Sequence, residues 1–336
     1  MNNSLAIVIP AFKPTFLEEG LASIAQQRCK DFTLYIGDDS SPDDLYSIIE
    51  KYTHQIRIVY KRFDENIGKK KLVSQWERCI DMVEDEEWIW LFSDDDVMDN
   101  RCVELFYHAL QETEADIYHF DVNIIDRFSQ LKEVRAEYPP LMSAASYFRE
   151  TVRHTVWSFV SDSIFNKKHF FDNGRFQYFD MAWGSDHATW IKLGFEKGIV
   201  TVKGAKVLWR YSGENISSLF ESSDTGIRKM QASVAFFNWA RDFFKSKNCD
   251  THLNDYDLLE SFLIRNRDFF PMLSNRFINQ QIKAFSRGDR KLYLAGCLKA
   301  FRRKLSRQIK NAERSFRKKK RLALEKMKKH YFTMPT

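Results

Sequence analysis

Acidic side chains follow two hydrophobic segments in the first hundred residues. Asp94, Asp95 and Asp96 come after the segment WIWLF, and Asp38 and Asp39 come after FTLYI and one glycine. Ligands of open α/β sheets bind beyond the carboxyl ends of the strands, so these carboxylates are candidates for one site. Carboxylates repel phosphate unless a hard cation such as Mg²⁺ or Mn²⁺ lies between them. The pattern therefore predicts a site for a metal and a diphosphate, whereas a polar turn is the alternative for either cluster alone.

Short apolar segments alternate with stretches of helical spacing in this part of the chain. The predicted strands are residues 5–9, 32–36, 56–60 and 88–92, and the predicted helices are one that opens at a Thr15 capping box and residues 43–52 and 71–83. This alternation predicts an α/β fold with a mostly parallel, Rossmann-like central sheet flanked by helices. Beyond about residue 220 only helical spacing remains, which predicts a helical C-terminal region.

Four motifs in order resemble the family 2 inverting glycosyltransferases of GT-A fold. They are IVIPAFK at residues 7–13, IGDDSSPD at 36–43, NIG at 66–68 and FSDDD at 92–96. The resemblance implies a catalytic domain over residues 1–220, followed by a helical region over 221–300 and a basic tail over 301–336. It also implies transfer of a sugar from a nucleotide-diphosphate donor, most often UDP-linked, to a glycan hydroxyl in cell-surface polysaccharide synthesis.

The resemblance assigns roles to the residues of these motifs. The expected nucleotide-binding residues are Pro10, Ala11, Phe12, Asp38, Asp39, Asn66 and Asp94. Asp95 would be the main ligand of Mn²⁺ or Mg²⁺ with Asp96 in support, although the frame Asp94-x-Asp96 stays open. A Gly-rich, basic loop after the first strand, which is typical of nucleotidyltransferases with a similar sheet, does not occur in the sequence.

A second group of assignments lies downstream. Asp186 matches the family's catalytic base, which takes the proton of the acceptor hydroxyl as that hydroxyl attacks the anomeric carbon opposite the leaving group. A helix N-cap is the alternative for Asp186, and Ser185 replaces the usual preceding Glu. Arg210 and Ser212 are expected near the diphosphate or acceptor, with a structural ion pair as the alternative for Arg210. Trp183 is a candidate sugar-stacking platform.

Some residues of these segments match the family pattern and others depart from it, which leaves a non-catalytic function open. Asn215 and Ser217 match the family motif around Arg210, and Trp157 and Trp190 are further stacking candidates, with core packing as the alternative. Ser93, Ser185 and Ser212 each replace a common family residue. A non-catalytic relative that binds nucleotide sugar or glycan is therefore the second alternative, besides a nucleotidyltransferase.

Charge is distributed unevenly along the chain. The 336 residues contain Lys+Arg 52 and Asp+Glu 46, a net charge of +6, but residues 301–330 alone carry +12 and the remainder −6. The basic segment has amphipathic helical spacing, which predicts binding to an anionic membrane surface; packing on the body or on a second copy is the alternative, and nucleic acid fits the family least.

The place of the protein in the cell follows from the same features. The five cysteines form no C-x-x-C pair, and we find neither a signal peptide nor an apolar stretch long enough to span a membrane. A cytoplasmic enzyme on the inner face of the membrane, with a lipid-linked acceptor, is the expectation.

Overall fold

The computed structural model describes residues 4–214 and 222–331, in which ten strands and eleven α-helices follow one another. The strands are β1 (Leu5–Ala11), β2 (Phe32–Asp38), β3 (Ile58–Arg62), β4 (Trp88–Leu91), β5 (Val97–Met98), β6 (Ile117–Asp126), β7 (Leu131–Val134), β8 (Leu141–Met142), β9 (Ser163–Asn166) and β10 (Ile199–Tyr211). The helices are α1 (Leu17–Ala25), α2 (Tyr46–Ile49), α3 (Leu72–Ile80), α4 (Cys102–Glu112), α5 (Ala144–Arg153), α6 (Lys167–Asp172), α7 (Ser185–Leu193), α8 (Ser223–Ser246), α9 (Asp255–Arg265), α10 (Asn275–Ser286) and α11 (Arg290–Tyr331).

The strands form one sheet in the order β3-β2-β1-β4-β9-β6-β10-β5, with β7 beside β6 and β8 beside β10. The pairs from β3 to β4 are parallel, as is β6 with β10, but β9 runs against both of its neighbours. Two reversals restore the direction, so β6 and β10 point the same way as β4. The carboxyl ends of β1, β2, β4, β6 and β10 and the amino end of β9 therefore share one edge.

Both faces of the sheet are covered, which explains why the strands read as continuous apolar runs. Along β1, Leu5, Ile7 and Ile9 face a core shared with α1, α2 and α4, while Ala6 and Val8 face a core shared with α5 and α7 to α10. The helical C-terminal region thus packs on one sheet face and is continuous with the body.

Two local predictions are wrong. The first strand extends through Pro10 to Ala11, because β1 lies between two parallel partners and Pro10 is opposite Gly37 in the register. The first helix begins at Leu17 after Phe16, and no side chain caps it, so Thr15 does not form a capping box.

Two further expectations concern the chain's C-terminal half. Helix α11 is continuous across residues 300 and 301, where the sequence suggests a boundary. Asn215 and Ser217 lie outside the described residues. Within residues 4–214 and 222–331, no helix is both long and apolar enough to cross a bilayer.

Candidate active site

Asp38 organises the carboxyl end of β2. Its carboxylate is inaccessible to solvent and accepts hydrogen bonds from the Ser41 amide (2.7 Å) and the Tyr60 hydroxyl (2.8 Å). The exposed Arg62 guanidinium lies 3.3 Å from the same carboxylate. A buried carboxylate with three donors is held in place by the protein, so Asp38 shapes the loop after β2.

Asp39 connects this loop to the segment that contains Asn66. The amides of Ile67 (2.9 Å) and Gly68 (2.9 Å) donate to its carboxylate, and Arg78 on α3 forms an ion pair with it. A Cβ at position 68 would lie 2.6 Å from an Asp39 oxygen, so only glycine fits beside it. Asp39 thus holds in place the segment from which Asn66 is predicted to contact the nucleotide.

Asp94 joins the ends of β1 and β4. Its Oδ2 accepts hydrogen bonds from the amides of Phe12 (3.0 Å) and Lys13 (3.2 Å), while the Ser41 hydroxyl donates to the Phe12 carbonyl (2.7 Å). Asp39 also donates its amide to the Ala11 carbonyl (2.9 Å). The structure therefore brings together the predicted nucleotide-binding residues around the ends of β1, β2 and β4.

The carboxylates of Asp95 and Asp96 differ in the hydrogen bonds that they accept from the protein. Asp96 is fully buried, and its carboxylate accepts from the Ser161 hydroxyl (2.5 Å) and the Arg210 amide (2.8 Å). Asp95 is partly exposed, and no described residue hydrogen-bonds its carboxylate. Burial and the neighbouring charges of Asp96 and Asp94 raise the pKa of Asp95 well above its ordinary value.

Arg210 positions this acidic loop from β10. Its Nε donates to the Asp95 carbonyl (2.7 Å), its Nη1 donates to Ser129 (2.8 Å), and its Nη2 lies 2.8 Å from a Glu19 carboxylate oxygen. Because these nitrogens already have protein partners and the side chain is fully buried, the structure favours the structural ion pair for Arg210 over the predicted contact with the diphosphate.

The donor set at Asp95 fits Mg²⁺ or Mn²⁺. Among the residues that the structure describes, no three His, Cys, Asp or Glu side chains are placed to hold one metal ion. Such hard cations are often bound by one or two carboxylates together with phosphate oxygens and water. Asp95 offers a free carboxylate whose ionised form is crowded by Asp94 and Asp96, and a cation would relieve that repulsion.

Asp186 lies in the first turn of α7 and is partly buried. Burial raises its pKa from 3.8 to about 6, although its own Oδ1 accepts the His187 amide (2.8 Å) and Arg265 lies near enough to lower the value. It carries no N-cap hydrogen bond, since the N-cap residue is Gly184. A desolvated carboxylate whose pKa lies near 6 is suited to accept a proton at neutral pH.

Asp162 links Asp186 to the acidic loop after β4. It is not among the site residues that the sequence predicts. It precedes β9, and its carboxylate accepts from the Phe159 amide (2.8 Å) and the Ser163 hydroxyl (2.7 Å). Burial raises the pKa of Asp162 to about 8, with a smaller contribution from the Asp186 charge. Its neighbour Ser161 donates to Asp96, so this turn at the amino end of β9 spans both parts of the site.

Gly184 sets the position of Asp186. Its φ of +93° is a conformation that glycine adopts without strain, and an added Cβ would lie 3.2 Å from the Phe236 ring of α8. Ser185, which replaces the expected Glu, is fully buried and accepts the Phe179 amide (2.9 Å). With Ser at position 185, this turn therefore holds one acid, Asp186, in place of the family's usual Glu-Asp pair.

The remaining candidates lie in different surroundings. The Ser212 hydroxyl accepts the Glu214 amide (3.1 Å), and the Trp183 indole donates to Ser233 on α8 (3.1 Å). The Trp190 ring is buried in the core, which rules it out as a sugar platform. Trp157 is exposed, with the Arg135 guanidinium 4.1 Å from its ring centroid.

The sheet edge described above, with an acidic loop after β4 and a second carboxylate on α7, is that of a GT-A glycosyltransferase. The model of glycosyl transferase family 2 matches residues 6–183, which is more than half of the chain. The chain belongs to this family and is a glycosyltransferase, which confirms the predicted family, fold and enzyme class. Asp186 lies just beyond the matched residues.

Solved structures of similar fold include those of S. aureus TarS. The structure of TarS 1-349 in complex with UDP is 15% identical, with a TM-score of 0.53 and 91% of each chain covered. The complex of TarS 1-349 with UDP-GlcNAc is also 15% identical, with a TM-score of 0.57 and 91% of each chain covered. No curated protein sequence matches the chain.

Proposed function

We propose that the protein transfers a sugar from a nucleotide-diphosphate sugar to a glycan hydroxyl, with inversion at the anomeric carbon. The observation that carries this proposal is that two carboxylates lie at the same sheet edge. One is the carboxylate of Asp95, which accepts no hydrogen bond from a described residue, and the other is the desolvated carboxylate of Asp186. The TarS structures that contain UDP and UDP-GlcNAc support a UDP-linked donor.

Each carboxylate has its own role in the proposal. Asp186, ionised at neutral pH, accepts the proton of the acceptor hydroxyl while that oxygen attacks the anomeric carbon; a single displacement by this route inverts the configuration. Asp95 would hold Mg²⁺ or Mn²⁺, which when bound supplies charge to stabilise the departing diphosphate. Asp94, Asp38 and Asp39 keep the loops that surround the nucleotide in place.

Calorimetry of UDP binding with and without Mn²⁺ tests the donor and metal parts of the proposal. The wild type should bind UDP more tightly with Mn²⁺, and Asp95→Asn should lose that difference. Asp85→Asn is the matched control, because Asp85 is exposed and precedes β4 at the opposite edge of the sheet. Metal-independent binding, or no binding of UDP, GDP or dTDP, would contradict the assignment.

A rate measurement tests the base. Asp186→Asn should abolish transfer, measured as release of UDP from a UDP-sugar, while it leaves UDP affinity within about twofold of the wild type. If UDP release persists in the variant, the base lies elsewhere. A panel of nucleotide sugars in the same assay would identify the donor.

We further propose that α11 binds an anionic membrane surface, which would bring the enzyme to a lipid-linked acceptor on the inner face of the membrane. Five large apolar side chains of α11 are each about half exposed: Leu294, Leu298, Phe301, Leu305 and Ile309. They follow 4,3,4,4 spacing, lie on one side of the helix and span about 22 Å at 1.5 Å per residue.

The opposite side of α11 is attached to the body. Leu292 and Ala300 are buried there, Lys299 pairs with Glu260 (2.9 Å), and Arg307 pairs with Asp268. The apolar stripe is therefore left facing away from the body, with nothing among the described residues covering it.

Charge and spacing favour lipid over a second copy of the chain. The +12 carried by residues 301–330 attracts anionic lipid, at about 1 kcal/mol per Lys or Arg near the surface, whereas two such helices would repel each other. A coiled coil also needs 4,3,4,3 spacing, and Gln308 occupies the position where the heptad would require an apolar residue.

Co-sedimentation with vesicles tests the membrane proposal. Phe301→Glu with Leu305→Glu should weaken binding to phosphatidylserine vesicles at least tenfold, whereas Phe128→Glu, at an exposed aromatic residue outside α11, should not. Unchanged binding of the double variant would refute the apolar stripe as the contact. A wild-type dimer in sedimentation, dispersed by the same double variant, would assign the stripe to a second copy instead.

A further inference from the structure

The helical C-terminal region forms part of the wall around Asp186. The Phe236 ring of α8 fills the space above Gly184 and lies 6.3 Å from the His187 ring, centroid to centroid. Its centroid is also 6.0 Å from that of Phe179. The turn that carries the proposed base is thus packed directly on the region that follows residue 221.

Arg265, the last residue of α9, reaches the same place. Its guanidinium carbon lies 5.4 Å from the centroid of Phe236 and 5.9 Å from that of Phe237. These aromatic faces stabilise the cation without neutralising it. The guanidinium therefore shares the Phe236 ring with the turn that carries Asp186.

No ion pair within the described residues neutralises the charge of Arg265. The side chain is partly buried, yet no residue within 4–214 or 222–331 forms an ion pair or hydrogen bond with it. Asp186 interacts with it electrostatically, but the two are too far apart for an ion pair. A guanidinium with five donors and no protein acceptor leaves its hydrogen-bonding capacity to a ligand.

The two histidines at this place carry no positive charge near neutral pH. Burial lowers the pKa of His187 to about 3 and that of His154 to about 4, and in both cases the Arg265 charge contributes to the shift. The Tyr147 hydroxyl, 2.9 Å from His187 Nδ1, has a pKa that burial raises well above its ordinary value. Arg265 is therefore the cation that faces a substrate beside the base, among these described groups.

We propose that Arg265 binds a phosphate group of a substrate next to Asp186, which makes the helical region a part of the substrate site. The proposal rests on the transferase function proposed above. A guanidinium matches phosphate oxygens in a planar, two-point geometry that a lysine cannot reproduce. The phosphate belongs either to the diphosphate of the donor or to an acceptor that itself carries phosphate.

Binding measurements on the full chain distinguish these sources. Arg265→Met and Arg265→Lys are compared with Arg267→Met, a control at an exposed arginine of the same segment. The probes are UDP, uridine, and inorganic phosphate added to UDP-loaded protein. Arg265→Met should lower the affinity for UDP or for inorganic phosphate at least tenfold, equivalent to about 1.4 kcal/mol. Arg265→Lys should recover part of that affinity.

Each pattern of lost affinity identifies one role of Arg265. Weaker UDP binding with unchanged uridine binding assigns Arg265 to the donor diphosphate; loss of phosphate binding alone assigns it to a phosphate of the acceptor. Equal affinities of Arg265→Met and wild type for all three probes would overturn the inference and leave the transferase function standing. A wild type that binds no nucleotide would overturn the transferase function itself, while loss of uridine binding together with a lower Tm would show that Arg265 is merely structural.

Discussion

Replacing Asp186 by Asn should make the protein more stable while it removes activity. Asp186 is held in surroundings that disfavour its charge, since burial raises its pKa from 3.8 to about 6. Asn has the same shape, and its side-chain oxygen can still accept the His187 amide. The substitution therefore removes an unfavourable charge without removing a contact.

The size of the effect follows from the pKa. A rise of about two pKa units corresponds to at most about 3 kcal/mol, and because the side chain is partly exposed we expect a gain of roughly 1–3 kcal/mol. Since the native state binds the proton more tightly than the unfolded chain, the ionised group lowers wild-type stability only as pH rises from about 4 to 6. The gain should be absent below about pH 4, grow through that window and stay constant above it.

Urea denaturation of both proteins between pH 4 and 8 measures this difference, and UDP release from a UDP-sugar measures activity. Below about pH 6 the wild-type rate should fall about tenfold per pH unit, because a base must be ionised to accept a proton. A variant that is less stable than the wild type at pH 7, or a wild-type rate that is flat from pH 7 to 5, would refute the assignment of a desolvated base to Asp186.

Three further substitutions separate binding from scaffolding. Asp95→Asn should lose the effect of Mn²⁺ on UDP binding without lowering Tm, since it removes a charge that burial and the neighbouring carboxylates disfavour. Asp96→Ala, by contrast, should lower stability by about 1–3 kcal/mol in urea denaturation, because it leaves the buried Arg210 amide without its acceptor. Equal effects of these two variants on stability would contradict the division of roles. Gly184→Ala should lower the rate of UDP release and cost about 1–3 kcal/mol, since φ is +93° and the added Cβ meets Phe236; an unchanged rate and Tm would show that the turn adapts freely.

The parallel half of the fold could be predicted from the sequence because its signals are local. Residues 5–9 and 88–92 are apolar runs that both faces of the sheet bury, and the acidic residues come directly after the strands. Motif order then placed Asp94 and Asp95 correctly at the sheet edge. Local signals of this kind need no knowledge of which strands pair.

What the sequence could not provide depends on long-range pairing. Asp162 lies in none of the four motifs, and only the reversed direction of β9 places it at the same edge as Asp96. Asp38 and Arg210 are predicted to contact the ligand, yet protein partners occupy their polar atoms. Several of these partners, such as Tyr60 for Asp38 and Glu19 for Arg210, come from other segments of the chain. Arg265 lies in no motif, because its position near Asp186 follows from the packing of α9 against α5 and α8.

The distribution of charge also changes meaning once the helices are placed. The sequence separates an acidic body from a +12 segment, but Arg303 and Arg307 of that segment pair with Glu260 and Asp268 of the body. Part of the basic charge therefore attaches α11 and orients its apolar stripe outwards, and only the remainder is available to lipid. Membrane binding should accordingly depend on the apolar side chains as well as on charge, so high salt should weaken the binding of the wild type to anionic vesicles without abolishing it.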